Sequence, residues 1–454
     1  MSWTERTLAL GVALVARVLQ HGSVAEWNSF LYADALSAWM VLLISLVSLA
    51  SAIYSIGYLR RDLAAGHITE GRFREFYVLT PLFAFAMFLV VLANNLGIMW
   101  VALEGTALAS VFLVALYNQK TSLEAAWKYI ILGSIGLVLA LLGTILTLAS
   151  AAGAGGTESL AGLNWSRLHT VARELDPNMM KLAFVCVLVG YGTKAGLAPM
   201  HTWLPDAHSE APAPTSAMLS GVFLKVALYG LFRFHVLTAE CLGTAFSQKL
   251  LLGFGLLSMI VAAPFVLVQT NIKRLFAYSS VEHVGIICVG VGLNAPLAVF
   301  GALLHMGYHA LAKPVLFFAS GNIHHRYHTL DMPTIGSGLL RAMPASAVVL
   351  ALAVVAPTGT PPFGMFLSEF NIIAGGMSAG HIVACVLYLL ALIAVFCGFL
   401  NHTAKLLLGE TKAARSGLTA MWLLIALLAV SSVWLPGPLL ELIQRAADII
   451  RVGS

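Results

Sequence analysis

Apolar segments of about 20 residues, the length that a helix needs to span the hydrocarbon of a bilayer, recur along this chain from end to end. With 59% hydrophobic and only 10% charged residues, its 454 residues carry far more apolar surface than a water-soluble domain can bury. The pattern therefore predicts an all-α polytopic membrane protein. We expect about thirteen transmembrane helices, at 7–19, 34–59, 76–93, 96–117, 124–151, 182–203, 215–234, 250–269, 281–293, 297–320, 344–374, 381–400 and 419–435.

The distribution of basic residues predicts the orientation of these helices. The first segment, 7–19, is short and has no small-residue cleavage site behind it, so we do not interpret it as a signal peptide. The positive-inside rule places basic loops, and with them the N-terminus, in the cytoplasm. The net charge of +5 then reflects orientation and needs no nucleic-acid partner. The basic residues gather in alternate loops, at Arg60, Arg61, Arg72, Arg74, Lys120, Lys273, Arg274, Arg326, Arg341, Lys405, Lys412 and Arg415.

Two segments interrupt the apolar pattern with glycine, proline and charge. The first, YGTKAGLAPMHTWLPDAHSEAPAP, occupies 191–214 and contains Lys194; the second, APTGTPPFGMFLSEF, occupies 356–370 and contains Glu369. A helix broken at membrane depth is tolerated only where protein or a water-filled cavity satisfies the freed backbone groups. Interrupted helices at matching places in two halves are typical of inverted repeats with ion sites near the membrane midplane.

Ionisable residues lie well inside several predicted spans, where a charge is costly and is usually functional. Snorkelling of the side chain to the interface explains Lys128 and Lys273, but not Glu104, Lys194 or Lys225, which are far from the span ends. Burial favours the neutral forms of lysine and glutamate, whereas a buried Glu–Lys pair favours both charged forms. A group held between these effects can take up and release a proton, which indicates a relay.

Histidines add to this set. His305, His309 and Lys313 recur at four-residue steps and therefore share one helix face. An HxxxH pair also has metal-ligand spacing, but no cysteine or carboxylate is obvious as a further ligand. We rank a proton relay first, a hydrogen-bonded core histidine pair second and a metal site third. Glu282 and His283 follow the basic turn NIKRLFAYSS and are either relay members or interfacial.

A second group of histidines follows the helix predicted at 297–320. His324, His325 and His328 are expected in a solvated loop. The C-terminal segment 438–452, PLLELIQRAADIIRV, has apolar residues at helical spacing. It is expected to lie on the membrane surface or against a neighbouring subunit, or to be a solvated tail.

No redox cofactor site is evident. None of the cysteines forms a CxxC pair, so an iron–sulfur, zinc or nickel–iron site is not expected, and the cysteines are interpreted as small core residues. The glycine-rich run AAGAGG at 151–156 follows a membrane helix and not a strand, which argues against a dinucleotide site. We therefore expect no cofactor in this chain. The cysteines are Cys186, Cys241, Cys288, Cys385 and Cys397.

Several long motifs occur in an order that resembles a known family. They are YSIGYLR, TSLEAAWKYI, GTKAGLAPMHTWLPDAHSEAPAP, IKRLFAYSSVEHVG, LLHMGYHALAKPVLF and GTPPFGMFLSEF. The chain resembles the antiporter-like membrane subunits shared by respiratory complex I, Mrp-type cation/proton antiporters and membrane-bound nickel–iron hydrogenases. Within this family it is most similar to the component F type of hydrogenase-4, related to formate hydrogenlyase. The resemblance runs from about residue 33 to about residue 400.

The resemblance implies a fourteen-helix subunit with two inverted five-helix repeats, each containing a discontinuous helix. By this resemblance, the chain is expected to start one helix later than the family usually does, at 7–19. The expected divisions are N-terminal helices at 1–74, a first repeat at 75–236 broken near 190–212, a second repeat at 237–402 broken near 356–370, and a C-terminal helix and amphipathic tail at 403–454. The resemblance assigns proton-path positions to Glu104, Lys194, Lys225, His305, His309 and Glu369. Accessory positions are proposed at Lys128, His201, Asp206, His208, Glu282, His283 and Lys313.

These observations predict a non-catalytic, proton-translocating subunit of a redox complex in the bacterial inner membrane. The expected partners are other membrane subunits, a peripheral redox module such as a nickel–iron hydrogenase, membrane lipids, and protons, with Na⁺ as the alternative ion. A redox step elsewhere would alter the Glu104–Lys194 pair and drive protons through Lys225 and the histidines to Glu369. The alternatives are a redox-independent Mrp-like Na⁺/H⁺ antiporter or inorganic-carbon uptake subunit, and a structural anchor for a peripheral enzyme.

Overall fold

A computed structural model of this protein describes residues 3–152, 160–408 and 419–451. Part of the glycine-rich run at 151–156, and Lys412 and Arg415 of the predicted basic loops, lie outside these residues. The described chain is helical apart from one antiparallel hairpin near the N-terminus, which the all-α prediction did not include. The N-terminal elements are α1 (Trp3–His21), β1 (Val24–Glu26), β2 (Leu31–Ala33) and α2 (Ala35–Ala64).

Residues 70–242 form the first half of the bundle. Short 3₁₀ turns flank α6, and a π-helical turn at Leu219–Phe223 separates α9 from α10. The helices are α3 (Glu70–Leu92), α4 (Leu96–Val114), α5 (Lys120–Ser150), α6 (Trp165–Thr170), α7 (Pro177–Ala195), α8 (Trp203–Glu210), α9 (Ala213–Met218) and α10 (Leu224–Leu242).

The described residues from 245 onward form the second half and the C-terminal elements. The second-half helices are α11 (Ala245–Val268), α12 (Ile272–Gly292), α13 (Pro296–Tyr327), α14 (Met332–Ile335), α15 (Leu339–Ala342), α16 (Pro344–Val355), α17 (Gly364–Ser378) and α18 (Ile382–Leu407). The C-terminal helices are α19 (Thr419–Val433) and α20 (Gly437–Ile450).

Within the described residues, eight helices are long and apolar enough to cross a membrane, or nine if the bent pair α19–α20 is one span. In this set α9, the π-helical turn and α10 form a single span, Ala213–Leu242. The protein is therefore a polytopic membrane protein, while the number thirteen stays a prediction.

Both predicted breaks are present. α7 ends at Gly196, whose φ of +81° is a left-handed conformation that glycine adopts without strain. The chain then runs without a long helix to α8. In the second half, α16 ends at Val355 and α17 begins at Gly364. The predicted span 344–374 is thus two short helices separated by the TGTPPF stretch.

Close backbone packing fixes the helices that flank the breaks. α5 packs on α7 where Gly136 faces Gly190: a Cβ at Gly190 would lie 2.5 Å from the Gly136 carbonyl oxygen. α13 packs on α17 in a similar way, because a Cβ at Gly301 would lie 2.8 Å from the Ser368 carbonyl oxygen. Since only glycine allows this approach, each broken helix is held directly against an unbroken neighbour.

The two faces of the bundle are marked by contacts between helix ends. At one face, Asp62 near the end of α2 binds Tyr117 after α4 and His325 at the end of α13. We call this the basic face, because the predicted basic loops lie there. At the opposite face, Arg233 of α10 pairs with Asp34 before α2.

The C-terminal segment differs from its prediction. α20 packs its apolar side against α2, α10 and α13 of this same chain. Leu442, Ile443 and Ala446 are fully buried. The segment is therefore neither a solvated tail nor a helix lying free on the membrane surface, because its hydrophobic stripe is already covered by the bundle.

Candidate functional site

Lys194 lies at the end of α7, directly before the first break, and its side chain is fully buried. Its Nζ has no hydrogen-bond partner among the described residues and lies 5.1 Å from the ring centroid of Tyr129 on α5. Gly133, one turn along α5, makes room for the amine, because a Cβ there would lie 2.6 Å from Nζ. The amine is thus held in a close-packed pocket, where it can make a cation–π interaction with the face of the Tyr129 ring.

Glu104 on α4 lies beside the same stretch of α5. Ser134 donates a hydrogen bond of 3.1 Å to its Oε1, while Oε2 has no partner among the described residues. Because Gly133 and Ser134 are adjacent, Glu104 and Lys194 lie at a similar depth in the bundle. The carboxylate acts electrostatically on Lys194, but no direct ion pair joins these two side chains.

Aromatic side chains connect this pocket to the start of α10. The Trp203 ring on α8 lies 4.8 Å from Tyr129 and 6.4 Å from Phe223, measured between ring centroids. The Trp203 indole donates to the Thr193 carbonyl at 2.8 Å, which ties α8 back to the end of α7. His208 follows one turn later on α8, with its ring centroid 6.3 Å from that of Trp203.

Lys225 lies just after the π-helical turn. In this turn the Leu224 N–H bonds to the Leu219 carbonyl, which leaves the Ser220 carbonyl to accept from Lys225 Nζ at 2.5 Å. The same amine contacts Nδ1 of His309 on α13. π-helical turns are frequent at functional sites because they free a carbonyl in this way.

A file of buried side chains continues from His309 within the second half, first by a ring contact and then by hydrogen bonds. The His283 ring on α12 lies 4.7 Å from the His309 ring, centroid to centroid. His283 Nδ1 lies 2.9 Å from His305 Nε2, and His305 Nδ1 lies 3.0 Å from Ser368 Oγ on α17. All four residues are buried. We call Lys225, His309, His283, His305 and Ser368 the relay file.

With Lys225 as an ammonium and the histidines neutral, the hydrogen bonds fix the proton positions of His305, His283 and His309. Ser368 donates its hydroxyl proton to the Met365 carbonyl at 2.7 Å, so its oxygen accepts from His305 Nδ1–H. His305 Nε2 must then accept from His283 Nδ1–H. At the other end, the amine of Lys225 donates to His309 Nδ1, which leaves the proton of His309 on Nε2.

Two carboxylates lie beside the end of the file. Glu369 follows Ser368 on α17 and is 6% exposed, and Glu282 precedes His283 on α12 and is 1% exposed. One oxygen of each lacks a hydrogen-bond partner among the described residues, and the two carboxylates act on each other electrostatically. Two buried carboxylates that interact disfavour a state in which both are ionised.

A metal ion is the alternative occupant of this place. Ligand atoms of His283, His305 and Glu369 all lie within 4.8 Å of one another, which suits a metal with nitrogen and carboxylate ligands. However, the two histidines bond directly to each other, and the second nitrogen of His305 is engaged by Ser368. A metal at this place would have to displace both of these hydrogen bonds, and the ranking of relay before metal stays a prediction.

The remaining accessory residues lie in three places. Asp206 on α8 pairs with Lys128 of α5 at 3.0 Å and with Arg274 of α12, which joins the two halves near the basic face. His201 lies in the first break with its ring 6.2 Å from Tyr278. Lys313 lies one turn from His309 and donates to the Phe276 carbonyl at 2.9 Å.

Three interpretations from the sequence were wrong. Lys273 does not snorkel: it is 3% exposed and donates to the Ala211 carbonyl at 2.6 Å, because the turn before α9 offers that oxygen. His324 and His325 are not in a solvated loop, since α13 extends to Tyr327. Cys397 is exposed on α18 and is not a core residue.

Several residues of the site were missed from the sequence. Ser368 adjoins Glu369 in a motif that was recognised, but only its hydrogen bonds identify it as a link of the file. Tyr129 and Gly133 are four residues apart and so share the α5 face that Lys194 meets. That spacing was a usable signal, whereas their partner on another helix was not visible in the sequence.

The fold and the buried file of ionisable side chains define a membrane-embedded, antiporter-like protein. The profile of the family described as NADH:quinone oxidoreductase/Mrp antiporter, TM, matches residues 93–394, and that of the NADH-ubiquinone oxidoreductase (complex I) chain 5 N-terminus matches residues 26–66. The chain belongs to this family, so the resemblance inferred from its motifs is confirmed.

Similarity to individual proteins agrees with this family assignment. A hydrogenase-4 component F homolog from Methylacidiphilum infernorum is 36% identical, over 93% of this chain and 89% of that protein. Hydrogenase-4 component B from Escherichia coli is 32% identical over 86% of this chain, but the match spans only 56% of that protein.

Solved structures share the fold. A chain of the membrane-bound sulfane sulfur reductase, an archaeal respiratory membrane complex, superposes with a TM-score of 0.87 at 24% identity, covering 99% of this chain and 91% of the other. A chain of the Mrp complex from Dietzia gives 0.86 at 22% identity, with the same coverages. At these identities the likeness describes the fold alone.

Proposed function

We propose that this protein is the proton-translocating membrane subunit of a redox-driven complex in the bacterial inner membrane. The observation that carries the proposal is the relay file, in which an amine, three imidazoles and a hydroxyl follow one another across the interface of the two halves. A file of groups that exchange protons is what translocation through an apolar bundle needs. Membership of the antiporter-like family supports the same proposed function.

We further propose that the two halves are inverted repeats of five helices each, as the motif resemblance implied. Helices α4 and α12 are both preceded by a capping asparagine, Asn95 and Asn271, whose side chain accepts backbone N–H groups of the first turn. Each asparagine also forms an isolated β-bridge, Asn95 with Asn164 and Asn271 with Asp331. Asn271 lies near the basic face and Asn95 at the opposite face, as an inverted pair requires.

In the proposed mechanism, a redox step in a partner subunit changes the field at Glu104 and Lys194. The carboxylate of Glu104 already acts on the otherwise unpartnered amine, so a change in that interaction alters the proton affinity of Lys194. Lys194 then either transfers a proton to Lys225 or changes the electrostatic potential there. The side chains of Tyr129, Trp203 and Phe223 lie between the two lysines. From there the proton moves through the histidines to Ser368 and Glu369.

The alternative ion is Na⁺, as in an Mrp-like antiporter. Sodium, like other hard cations, prefers oxygen ligands, whereas the relay file consists chiefly of nitrogen groups that titrate or donate. The chemistry of the file therefore favours H⁺ as the ion. Proton-gradient dissipation that depends on Na⁺ and needs no electron donor would instead support the antiporter.

The proposed partners are further membrane subunits and a peripheral redox module, with a nickel–iron hydrogenase as the first candidate. The basis is the similarity to hydrogenase-4 components F and B. Purification of the tagged protein in mild detergent, followed by identification of the copurifying chains, tests this directly. A nickel–iron large subunit would establish the hydrogenase branch, and a flavin-containing NADH module would point to a complex I-like assembly.

The transport role is tested by His305→Gln. Glutamine can hydrogen-bond to Ser368 but cannot relay a proton, so donor-driven proton pumping by the intact complex in inverted membrane vesicles is expected to fall by about 10²-fold or more. The matched control is His235→Gln, which changes another buried histidine with a comparable serine contact, 2.9 Å to Ser247, outside the file. Normal pumping by the His305 variant, with the complex intact, would exclude the relay.

A further inference from the structure

A second cluster of titratable side chains lies at the basic face, outside the relay file. Asp62 near the end of α2 is 1% exposed. Tyr117 donates to its Oδ2 at 2.7 Å, His325 Nε2 lies 2.8 Å from Oδ1, and His67 Nδ1 lies 3.4 Å from the same oxygen. Because the carboxylate oxygens accept, both imidazoles direct an N–H towards Asp62.

The exposed fraction of the side chains in this cluster falls from the solvent towards the interior. The side chain of His67 is 40% exposed, that of His325 is 10% exposed, and that of Asp62 is 1% exposed. An imidazole in contact with water, with a buried carboxylate behind it to orient it, is an arrangement suited to exchanging protons with solvent. A purely structural tie between helix ends does not require an exposed histidine.

The inner side of the cluster reaches the turn before α9. A Cβ at Gly321 would lie 2.7 Å from the Ala213 Cβ and 2.9 Å from the Tyr58 ring, so both pack there, and the Tyr58 hydroxyl lies 2.8 Å from that of Tyr117. Lys273 donates to the Ala211 carbonyl of that turn and interacts electrostatically with Asp62. The cluster and Lys273 therefore meet at the same short segment.

From Lys273 a line of buried groups leads to the relay file. His208 is fully buried, and neither ring nitrogen has a hydrogen-bond partner among the described residues. Lys273 Nζ lies 3.4 Å from the carbonyl oxygen of the next residue, Ser209, and the His208 ring lies 5.6 Å from the Phe317 ring of α13, centroid to centroid. On α13, His325 and His309 are 16 residues apart, which is about 24 Å along a helix at 1.5 Å per residue. The line thus runs from the interface deep into the bundle, over most of the length of a bilayer's hydrocarbon, which is about 30 Å thick.

We propose that Asp62, His67 and His325 form the proton-uptake site of this subunit, which loads the relay file by way of Lys273 and His208. The inference rests on the proposed function, because it names the place where the translocated proton enters. It adds a site outside the motif residues to which the resemblance assigns proton-path positions. It also assigns the basic face as the uptake side.

The test uses the intact complex in vesicles that expose the basic face. Asp62→Asn keeps an acceptor for Tyr117 but cannot ionise, and His325→Ala removes an imidazole. Each is expected to slow donor-driven pumping by about tenfold or more, because a positioned proton-transfer group is lost. A membrane-impermeant imidazole, imidazole-4-acetate, supplied on the basic face should restore the rate of His325→Ala, whereas the same buffer enclosed on the other side should not.

The controls separate this inference from the function on which it rests. His328→Asn removes an exposed imidazole near His67, at a left-handed position that asparagine tolerates, and should pump normally. Lys225→Ala should abolish pumping with no rescue by buffer. Normal pumping by Asp62→Asn beside an inactive Lys225→Ala would overturn the uptake site alone, and so would a loss in intact His325→Ala that buffer on the basic face does not restore. Normal pumping by Lys225→Ala would overturn the transport role itself.

Discussion

At the scale of single residues, the site depends on buried groups that lack a fixed ionic partner. Lys194 has an aromatic ring and a distant carboxylate as neighbours, and Lys225 has a carbonyl and an imidazole. Breaking a buried ion pair usually costs several kcal/mol. An amine held without one is free to change its protonation state, and this distinguishes it from a structural lysine.

Lys194 can be tested by two substitutions. Lys194→Ala removes the amine, and Lys194→Arg keeps a charge that does not deprotonate in proteins. Both are expected to abolish donor-driven proton pumping while the complex stays assembled, as judged by size-exclusion chromatography in detergent. Near-normal pumping by both variants would remove Lys194 from the mechanism.

Ser368 can be tested independently of the histidines. Ser368→Ala removes the hydroxyl that accepts from His305, so the imidazole loses the bond that fixes its tautomer and the pumping rate should fall by about tenfold or more. Ser247→Ala is the matched control, because it deletes a similar serine–histidine contact to His235, away from the relay file. Equal pumping by the two variants would show that Ser368 is only a packing residue.

At the scale of helices, the broken segments are positioned by glycine contacts with unbroken neighbours. A Cβ at Gly190 of α7 would lie 2.5 Å from the Gly136 carbonyl oxygen and 2.6 Å from the Ala140 nitrogen, both backbone atoms of α5. Backbone cannot move aside as a flexible side chain can. The helix pair must therefore separate if either glycine acquires a side chain.

Gly190→Ala is accordingly expected to destabilise the protein. Overpacking of this kind typically costs about 1–3 kcal/mol, so the midpoint of thermal unfolding in detergent should fall. Gly253→Ala on α11 is the control, because its Cβ would meet no atom within 4 Å, and alanine is the better helix former. If Gly190→Ala unfolded at the same temperature as Gly253→Ala, the tight α5–α7 contact would be wrong.

At the scale of the whole molecule, one ion pair at the face opposite the basic face joins the N-terminal helices to the first half. Arg233 of α10 donates to both carboxylate oxygens of Asp34, at 2.6 and 2.8 Å, and its guanidinium lies 4.3 Å from the Trp165 ring. Burial by itself raises the pKa of Asp34, but the Arg233 guanidinium and the hydrogen bonds from Ser37 together outweigh it, so the pKa lies below its ordinary value.

This pair predicts a pH dependence. Because the folded-state pKa of Asp34 is lowered, its stabilising contribution is fully present above the unfolded pKa, about 3.9, and is lost as pH falls through the folded value. Asp34→Asn should therefore cost about 3–5 kcal/mol near neutral pH, since it leaves Arg233 buried without its partner. The difference in unfolding temperature between the variant and the wild type should shrink below pH 4. A difference that stayed constant down to pH 3 would contradict the ion pair.

Local patterns in the chain were sufficient for part of this result. The apolar segments predict a polytopic helical protein, and both breaks fall where glycine, proline and charge interrupt those segments. The motifs identified the family, which the comparisons confirm. These features depend on neighbours in sequence, and a membrane makes them decisive because backbone groups in hydrocarbon must be satisfied locally.

Other features depended on contacts between distant segments. Lys273, His325 and α20 were all assigned to water or to the interface, because nothing in their local sequence shows that the turn before α9, Asp62 and the apolar side of the bundle meet them. The same holds for Ser368, whose role is visible only beside His305.

The sequence by itself therefore determined the class of protein, the family and the types of residue that can carry protons, since length, hydropathy and motif are local properties. Only the tertiary structure decided which of these residues lie next to one another. It alone also showed that a separate cluster of Asp62, His67 and His325 lies at the basic face of the same bundle. The physical reason is that proton transfer requires neighbours a few ångströms apart. In this protein those neighbours come from helices far apart in the chain.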